Sequence, residues 1–136
     1  LYMAARSQIV GEIIRPELKK GTIVICDRFL DSTIAYQGYG LGMSIDFIKA
    51  VGKFATFGIN PDLTIFLDLP VGKGLLHRNG CKDRIEKRSL AYHLRVRNGY
   101  LKLAGQEPER IKVIKVEEDK YKTQEKIRDL VKRYAV

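Results

Sequence analysis

Residues 63–68 read Leu63-Thr64-Ile65-Phe66-Leu67-Asp68, five apolar or β-branched positions closed by an acid. A run this short, without polar alternation, has the pattern of a strand buried on both faces, as in parallel sheets. Two other runs match it. Thr22-Ile23-Val24-Ile25-Cys26 is followed at once by Asp27-Arg28, and Ile111 to Val116 is followed by Glu117-Glu118-Asp119. Helical patterns fill the intervals. Residues 1 to about 20 place Tyr2, Ala5, Ile9, Ile13 and Leu18 on one face, with Val10 and Ile14 widening the stripe and Pro16 forcing a kink or restart. Phe47, Ile48, Val51, Phe54 and Ala55 make a second face, capped by Ser44 or Asp46. Leu90, Leu94, Arg97, Leu101 and Ala104 make a third across roughly 86–105, and Ile127, Leu130, Val131 and Tyr134 close the chain. Strands alternating with helices predict right-handed crossovers and an α/β domain, a parallel sheet with helices on both faces.

The 136 residues form one ordinary domain's worth of chain, without repeats, low-complexity tracts or a Pro/Ser linker. With 25 Lys and Arg against 16 Asp and Glu, the net charge of +9 implies anionic partners such as phosphate-bearing molecules, nucleic acid or an anionic membrane. No apolar run approaches the ~18–20 residues of a membrane-spanning helix, and no secretory pattern opens the chain. Two cysteines, Cys26 and Cys81, make neither a disulfide framework nor a Cys-built zinc site, so a reducing, cytoplasmic setting is the default reading. Cys26, in an expected buried strand, reads as inert packing. Leu1 stands inside an apolar pattern with no capping residue before it, which reads as the remainder of a longer protein.

In an open parallel sheet, ligands bind beyond the carboxyl ends of the strands. The stretch after Cys26 is the richest of these ends: Asp27, Arg28, Ser32, Thr33, Tyr36 and Gln37 follow within eleven residues. Arg28 offers a planar fork of donors suited to phosphate. Asp27 would hold Arg28 in place or orient a hydrated Mg²⁺. Ser32, Thr33 and Gln37 are base- or sugar-reading groups, and Tyr36 can pack against a ring. Taken alone, Asp27-Arg28 reads equally as an ion pair at a strand end. The second rich stretch, 78–88, holds five cations, among them Arg78, Lys82 and Arg84, interrupted by Gly80. It suits a cover that brings charge onto a polyphosphate, or a plain solvated loop. His77 and His93 have no ligand spacing to Cys81. Tyr2 and Arg6, at i and i+4, face the same way, either as core plus surface cation or as a grip on a flat base.

Ile25-Cys26-Asp27-Arg28-Phe29, then Ser32-Thr33, then Ala35-Tyr36-Gln37, resembles the characteristic motif of thymidylate kinases. Leu1-Tyr2-Met3-Ala4-Ala5-Arg6 resembles that family's thymine-binding helix, Asn60-Pro61-Asp62-Leu63-Thr64 the approach to its next strand, and Asp83-Arg84-Ile85-Glu86 its lid, here about 77–89. The resemblance implies a P-loop NTPase-like three-layer α/β/α fold, of which these residues are the C-terminal two-thirds. It implies transfer of the ATP γ-phosphoryl group to thymidylate (dTMP), giving dTDP for dTTP biosynthesis, with Mg²⁺ as cofactor and a homodimer as the assembly. By the same resemblance Tyr2 stacks on thymine, where relatives carry Phe, and Arg6 bonds the base's O4. Arg28 holds the thymidylate phosphate, with Asp27 beside it near Mg²⁺, while Ser32, Thr33, Tyr36 and Gln37 frame base and sugar. Tyr36 lies where a ribose 2′-hydroxyl is disfavoured. Arg84, with Arg78 or Lys82, reaches the ATP phosphates, Glu86 assists at the metal, and the loop after Val116 borders adenine.

The Gly-rich phosphate loop G-x-x-x-x-G-K-[ST] is not among these residues. The resemblance puts it on a strand upstream of Leu1, beside the run ending at Asp27, so that run is expected to show an unpaired edge. Without that loop the stretch alone is expected to be inactive. Leu41, where relatives carry Lys or Arg, and the short lid around Asn79-Gly80 also depart from the pattern. Two other readings compete: a nucleic-acid-binding module, motivated by the charge but lacking any binding motif, and a catalytically inactive kinase-like subunit.

Overall fold

A computed structural model of the chain describes residues 1–72, 85 and 87–134. The fold is α/β, with helices and a parallel sheet, and it divides into two compact units, Leu1–Asn60 and Pro61–Val136.

Unit 1 is helical. Its first helix runs as α1 (Tyr2–Ile9), a wide π-helical stretch (Val10–Ile14) and α2 (Arg15–Lys19). The π stretch lies just ahead of Pro16, which lacks an N–H and would crowd the carbonyl four residues earlier in a regular helix. The anticipated interruption is therefore present, taken up one turn before the proline. The face differs from the expected one. Val10 and Ile14 are buried, whereas Tyr2, Ile9, Ile13 and Leu18 are exposed, because the wide turn rotates the stripe away from an ideal 3.6-residue period.

The run Thr22–Cys26 is not a strand. A strand exists through its ladder, and among the described residues no strand pairs with this run, whose Ile23 and Ile25 are 73% and 92% exposed. Cys26 is accordingly exposed, contrary to its reading as buried packing.

Beyond the run lie α3 (Leu30–Thr33), a second π-helical stretch (Ile34–Gly40) and α4 (Ile45–Ala55). Ser44 caps α4 as expected, its Oγ accepting from the Phe47 N–H at 3.3 Å. The core here is Val10, Ile14, Leu30, Ile34, Ala35, Ile48 and Ala55. Phe47 and Phe54, read from the sequence on one apolar face with the buried Ile48 and Ala55, stand 62% and 86% exposed. The reason is Gly52. A Cβ there would lie 2.4 Å from Leu30 Cδ1, so α4 sits closest where it has no side chain, and the flanking phenylalanines turn outward. Gly52→Ala should gain about 1 kcal/mol of helix propensity but lose about 1–3 to overpacking against the buried Leu30. The expected net is destabilisation by up to about 2 kcal/mol; a raised unfolding midpoint would contradict this packing.

Unit 2 holds β1 (Thr64–Asp68), α5 (Leu90–Gln106), β2 (Ile111–Lys115) and α6 (Lys120–Lys132). The two strands pair in parallel, Thr64 opposite Ile111 through Asp68 opposite Lys115, with α5 in the crossover between them. Ser89 caps α5 through the Tyr92 N–H. The buried face of α5 is Tyr92, Val96, Gly99, Leu103 and Ala104, so the expected stripe is out of phase except at Ala104, with Leu90 and Leu94 exposed. Two contacts select this face: Tyr100 stacks flat on Phe66 of β1 at 4.6 Å, and Arg97 reaches Asp68. On α6, Thr123 is buried; its Oγ1 accepts the Glu117 N–H at 2.9 Å and ties the helix to the loop after β2.

Glu117 also pairs with Lys126 of α6. The hydrogen bond from Lys126, then its charge, hold the Glu117 carboxyl below the ordinary glutamate value of 4.5. The pair's stabilising contribution is therefore present above pH 4.5 and is lost as pH falls through the lower folded value. A carboxyl titration by NMR should show Glu117 moving back toward its ordinary value in high salt, since the pair is solvent-facing. An insensitive titration would contradict the pairing.

Candidate functional site

In unit 1, Arg6 rises from α1 and is half-buried. Its Nη1 donates to Thr33 Oγ1 at 2.9 Å and to Met3 Sδ at 3.4 Å, and its Nη2 donates to the Phe29 carbonyl at 3.1 Å. The guanidinium also lies 5.4 Å from the Phe29 ring centroid. Burial pushes its pKa down from the ordinary arginine value, against the opposing influence of Asp31 and Cys26. A guanidinium does not lose its proton in a protein, so the result is a fixed cation whose hydrogen bonds go to neutral acceptors. Its charge is felt by the nearby Asp31 carboxylate, while these hydrogen bonds go to neutral acceptors.

Arg28 is the second cation. Its backbone has φ 71°, the left-handed region that costs a non-glycine residue about 1–2 kcal/mol. Such strain concentrates at functional positions. The guanidinium lies 5.0 Å from the centroid of the Tyr36 ring, and this is its one side-chain interaction among the described residues. Asp27, expected to hold Arg28, makes no ion pair with it. The left-handed turn at Arg28 separates the two neighbouring side chains instead of aligning them.

The short helix α3 and the π-helical stretch after it present the remaining residues. Thr33 is buried against Arg6, while Ser32, Tyr36 and Gln37 are half-buried. Tyr2 is 67% exposed at the start of α1. Two groupings thus come together, Arg6 with Thr33 and Phe29, and Arg28 with Tyr36. Phe29 and Met3 escaped sequence reasoning as partners of Arg6. Phe29 acts through its carbonyl, which no side-chain pattern reports.

Among the described residues no three His, Cys, Asp or Glu side chains gather as a metal cage. Asp27 stands exposed as a single carboxylate. That fits a hydrated Mg²⁺ carried mainly by nucleotide phosphates, which takes only one or two protein carboxylates.

In unit 2, the carboxyl end of β1 is occupied by an internal tie. Arg97 Nε donates to Asp68 Oδ1 at 2.6 Å and Arg97 Nη2 to Oδ2 at 2.8 Å, a bidentate pair with Asp68 buried. The hydrogen bonds from Arg97 to Asp68 raise the Arg97 pKa above the ordinary arginine value. Val116 is half-buried, and its N–H extends the ladder to the Asp68 carbonyl at 3.0 Å. Arg78, Lys82, Arg84 and Glu86 lie outside the described residues. The hollow on α4 lined by Ala50, Lys53, Phe54, Phe57 and Gly58 contains none of the expected site residues.

Residues 1–127 match the family model described as thymidylate kinase. The chain is 48% identical over 123 residues to a thymidylate kinase of Lactobacillus delbrueckii subsp. bulgaricus, covering 88% of this chain and 58% of that protein. It is 50% identical over 116 residues to one of Kosmotoga olearia, covering 84% and 56%. Among solved structures, the crystal structure of thymidylate kinase from Ehrlichia chaffeensis superposes with a TM-score of 0.75 at 31% identity, over 96% of this chain and 61% of that one. The chain thus spans a little over half the length of the relatives it matches.

Proposed function

Because the chain belongs to the thymidylate kinase family, we propose that unit 1 holds thymidylate and that the whole protein transfers the γ-phosphoryl group of ATP to it, giving dTDP for dTTP biosynthesis. The observation that carries this reading is the pair of cations in unit 1. Arg6 is pinned by neutral acceptors and Arg28 lies against a phenol ring, so both keep positive charge for an anionic or carbonyl-bearing ligand. Arg28 takes the thymidylate phosphate through its in-plane N–H donors. Arg6 meets the base carbonyl O4, with Thr33 fixing its orientation and Tyr2 covering the ring. Ser32 and Gln37 complete the base and sugar contacts, and Tyr36 stands beside the sugar.

Phosphoryl transfer asks for alignment and charge neutralisation more than for covalent chemistry. A thymidylate phosphate oxygen bonds to the γ-phosphorus as the bond to the β–γ bridging oxygen breaks, leaving ADP. Arg28 steadies the attacking phosphate against the repulsion of a second polyanion. Mg²⁺, when bound, neutralises phosphate charge, and Asp27 would hold it. Arg78, Lys82, Arg84 and Glu86 are proposed to serve the ATP phosphates and their metal, and the Val116 loop to border adenine. A polar base site rejects other bases by leaving buried groups unpaired. The exposed Phe47 and Phe54 of α4 support pairing of two copies along that helix.

The test is a phosphotransfer assay on the whole protein that contains these residues, with ATP, Mg²⁺ and either thymidylate or deoxyuridylate, scored by nucleoside diphosphate formed. The expected result is turnover that prefers thymidylate. Equal use of both would reassign the base preference, and absence of product from the whole protein would overturn the proposed transfer.

A further inference from the structure

We propose that Tyr36 is the positioning residue of Arg28, holding its guanidinium face-on so that every edge donor stays available to the phosphate of a nucleoside monophosphate. The inference rests on the reading of Arg28 as the phosphate grip and adds how that grip is kept ready. Three observations support it. The Arg28 guanidinium lies 5.0 Å from the Tyr36 ring centroid and makes no ion pair or hydrogen bond among the described residues. Arg28 is exposed and its backbone is left-handed, so packing around the arginine itself does not fix where the side chain goes. Tyr36 is half-buried in the π-helical stretch Ile34–Gly40, directly after the buried Ile34 and Ala35, and is therefore the anchored member of the pair.

The geometry decides what such a support does. A carboxylate partner would occupy two of the five guanidinium donors and cancel the charge that a phosphate must meet. A ring engages the face of the guanidinium, leaves the in-plane donors open and leaves the charge intact. Wide helical turns are frequent at functional sites because they re-aim side chains, and here the stretch presents Tyr36 toward Arg28. One phenol then serves both ends of the sugar–phosphate: its position beside the sugar and its hold on the phosphate-binding cation are coupled.

The test uses Tyr36→Phe, which keeps the ring, and Tyr36→Leu and Tyr36→Met, which remove it, each confirmed folded by its unfolding midpoint. In the ligand-free chain, the Arg28 Nε–Hε resonance should be shifted by the ring current and ordered in wild type and Tyr36→Phe. Both properties should disappear in Tyr36→Leu and Tyr36→Met. Titrations with thymidylate and with thymidine should then show the ring-less variants losing roughly two- to fivefold in thymidylate affinity beyond any change for thymidine, the range for an exposed cation–π contact. An unaltered Arg28 resonance in the ring-less variants would overturn the proposal, as would equal losses for the two ligands. If wild type bound neither ligand, the functional reading would fall, and the Arg28 resonance would still decide whether the ring positions the cation.

Discussion

Arg28→Ala is expected to weaken thymidylate binding about 100-fold while leaving thymidine binding unchanged, because two charge-assisted hydrogen bonds to the phosphate are worth about 3 kcal/mol together. The same position makes an independent prediction about stability. At φ 71° alanine keeps the left-handed penalty and glycine escapes it, so Arg28→Gly should be more stable than Arg28→Ala by about 1 kcal/mol. That order reverses the usual cost of glycine in regular structure. Both variants should bind thymidylate equally poorly, since both lack the guanidinium. Parallel titrations and urea unfolding of the two variants check both statements. An Ala variant more stable than the Gly variant would remove the strain from the account, and undiminished thymidylate affinity would remove Arg28 from the site.

Breaking the Asp68–Arg97 pair should have the largest effect on stability, and the effect should be unequal at its two ends. The Asp68 side chain is 9% exposed and that of Arg97 is 31%. Arg97→Leu leaves a buried carboxylate without its cation and should cost about 3–4 kcal/mol, near the range for orphaned buried charges. Asp68→Asn leaves a cation that can turn toward water, and should cost about 1–2 kcal/mol. Hydrogen-exchange protection of the β1 and β2 amides reports this locally, since the chain has two compact units and a single unfolding transition need not describe both. Equal losses from the two substitutions would contradict the burial asymmetry.

The sequence carried the alternation of apolar runs and helices clearly where pairing partners lay within these residues. Thr64–Asp68 and Ile111–Lys115 are strands as expected, because each supplies the other's ladder. Thr22–Cys26 has the same β-branched character and is no strand, since propensity cannot replace a hydrogen-bonded neighbour. Helix existence was legible and helix facing was not. The stripe on α1 and α2 was displaced by a π-helical turn ahead of Pro16, and that on α5 by the stacking of Tyr100 on Phe66, although Arg97 of the expected stripe does reach Asp68. An ion pair 29 residues apart leaves no mark on a 3.6-residue period.

For the site, residue types were readable and partnerships were not. The order Asp27, Arg28, Ser32, Thr33, Tyr36, Gln37 pointed to a nucleotide, and Arg6 four residues after Tyr2 pointed to a base. What fixes each cation emerged only in three dimensions. Asp27, the adjacent acid, leaves Arg28 alone, and Tyr36, eight positions on, takes it. Arg6 is held by a hydroxyl and a main-chain carbonyl more than twenty residues away. For Arg28 a neutral ring takes the cation where the sequence reading looked to the adjacent acid.

The most direct measurement is an NMR titration of the chain with thymidylate, read at the arginine side-chain Nε–Hε resonances. The resonances of Arg6 and Arg28 should move together, along one saturating curve, while those of Arg97 and Arg110 in unit 2 stay fixed. Movement of other arginines with Arg6 and Arg28 unchanged at saturation would place the nucleotide elsewhere and contradict the site described for unit 1.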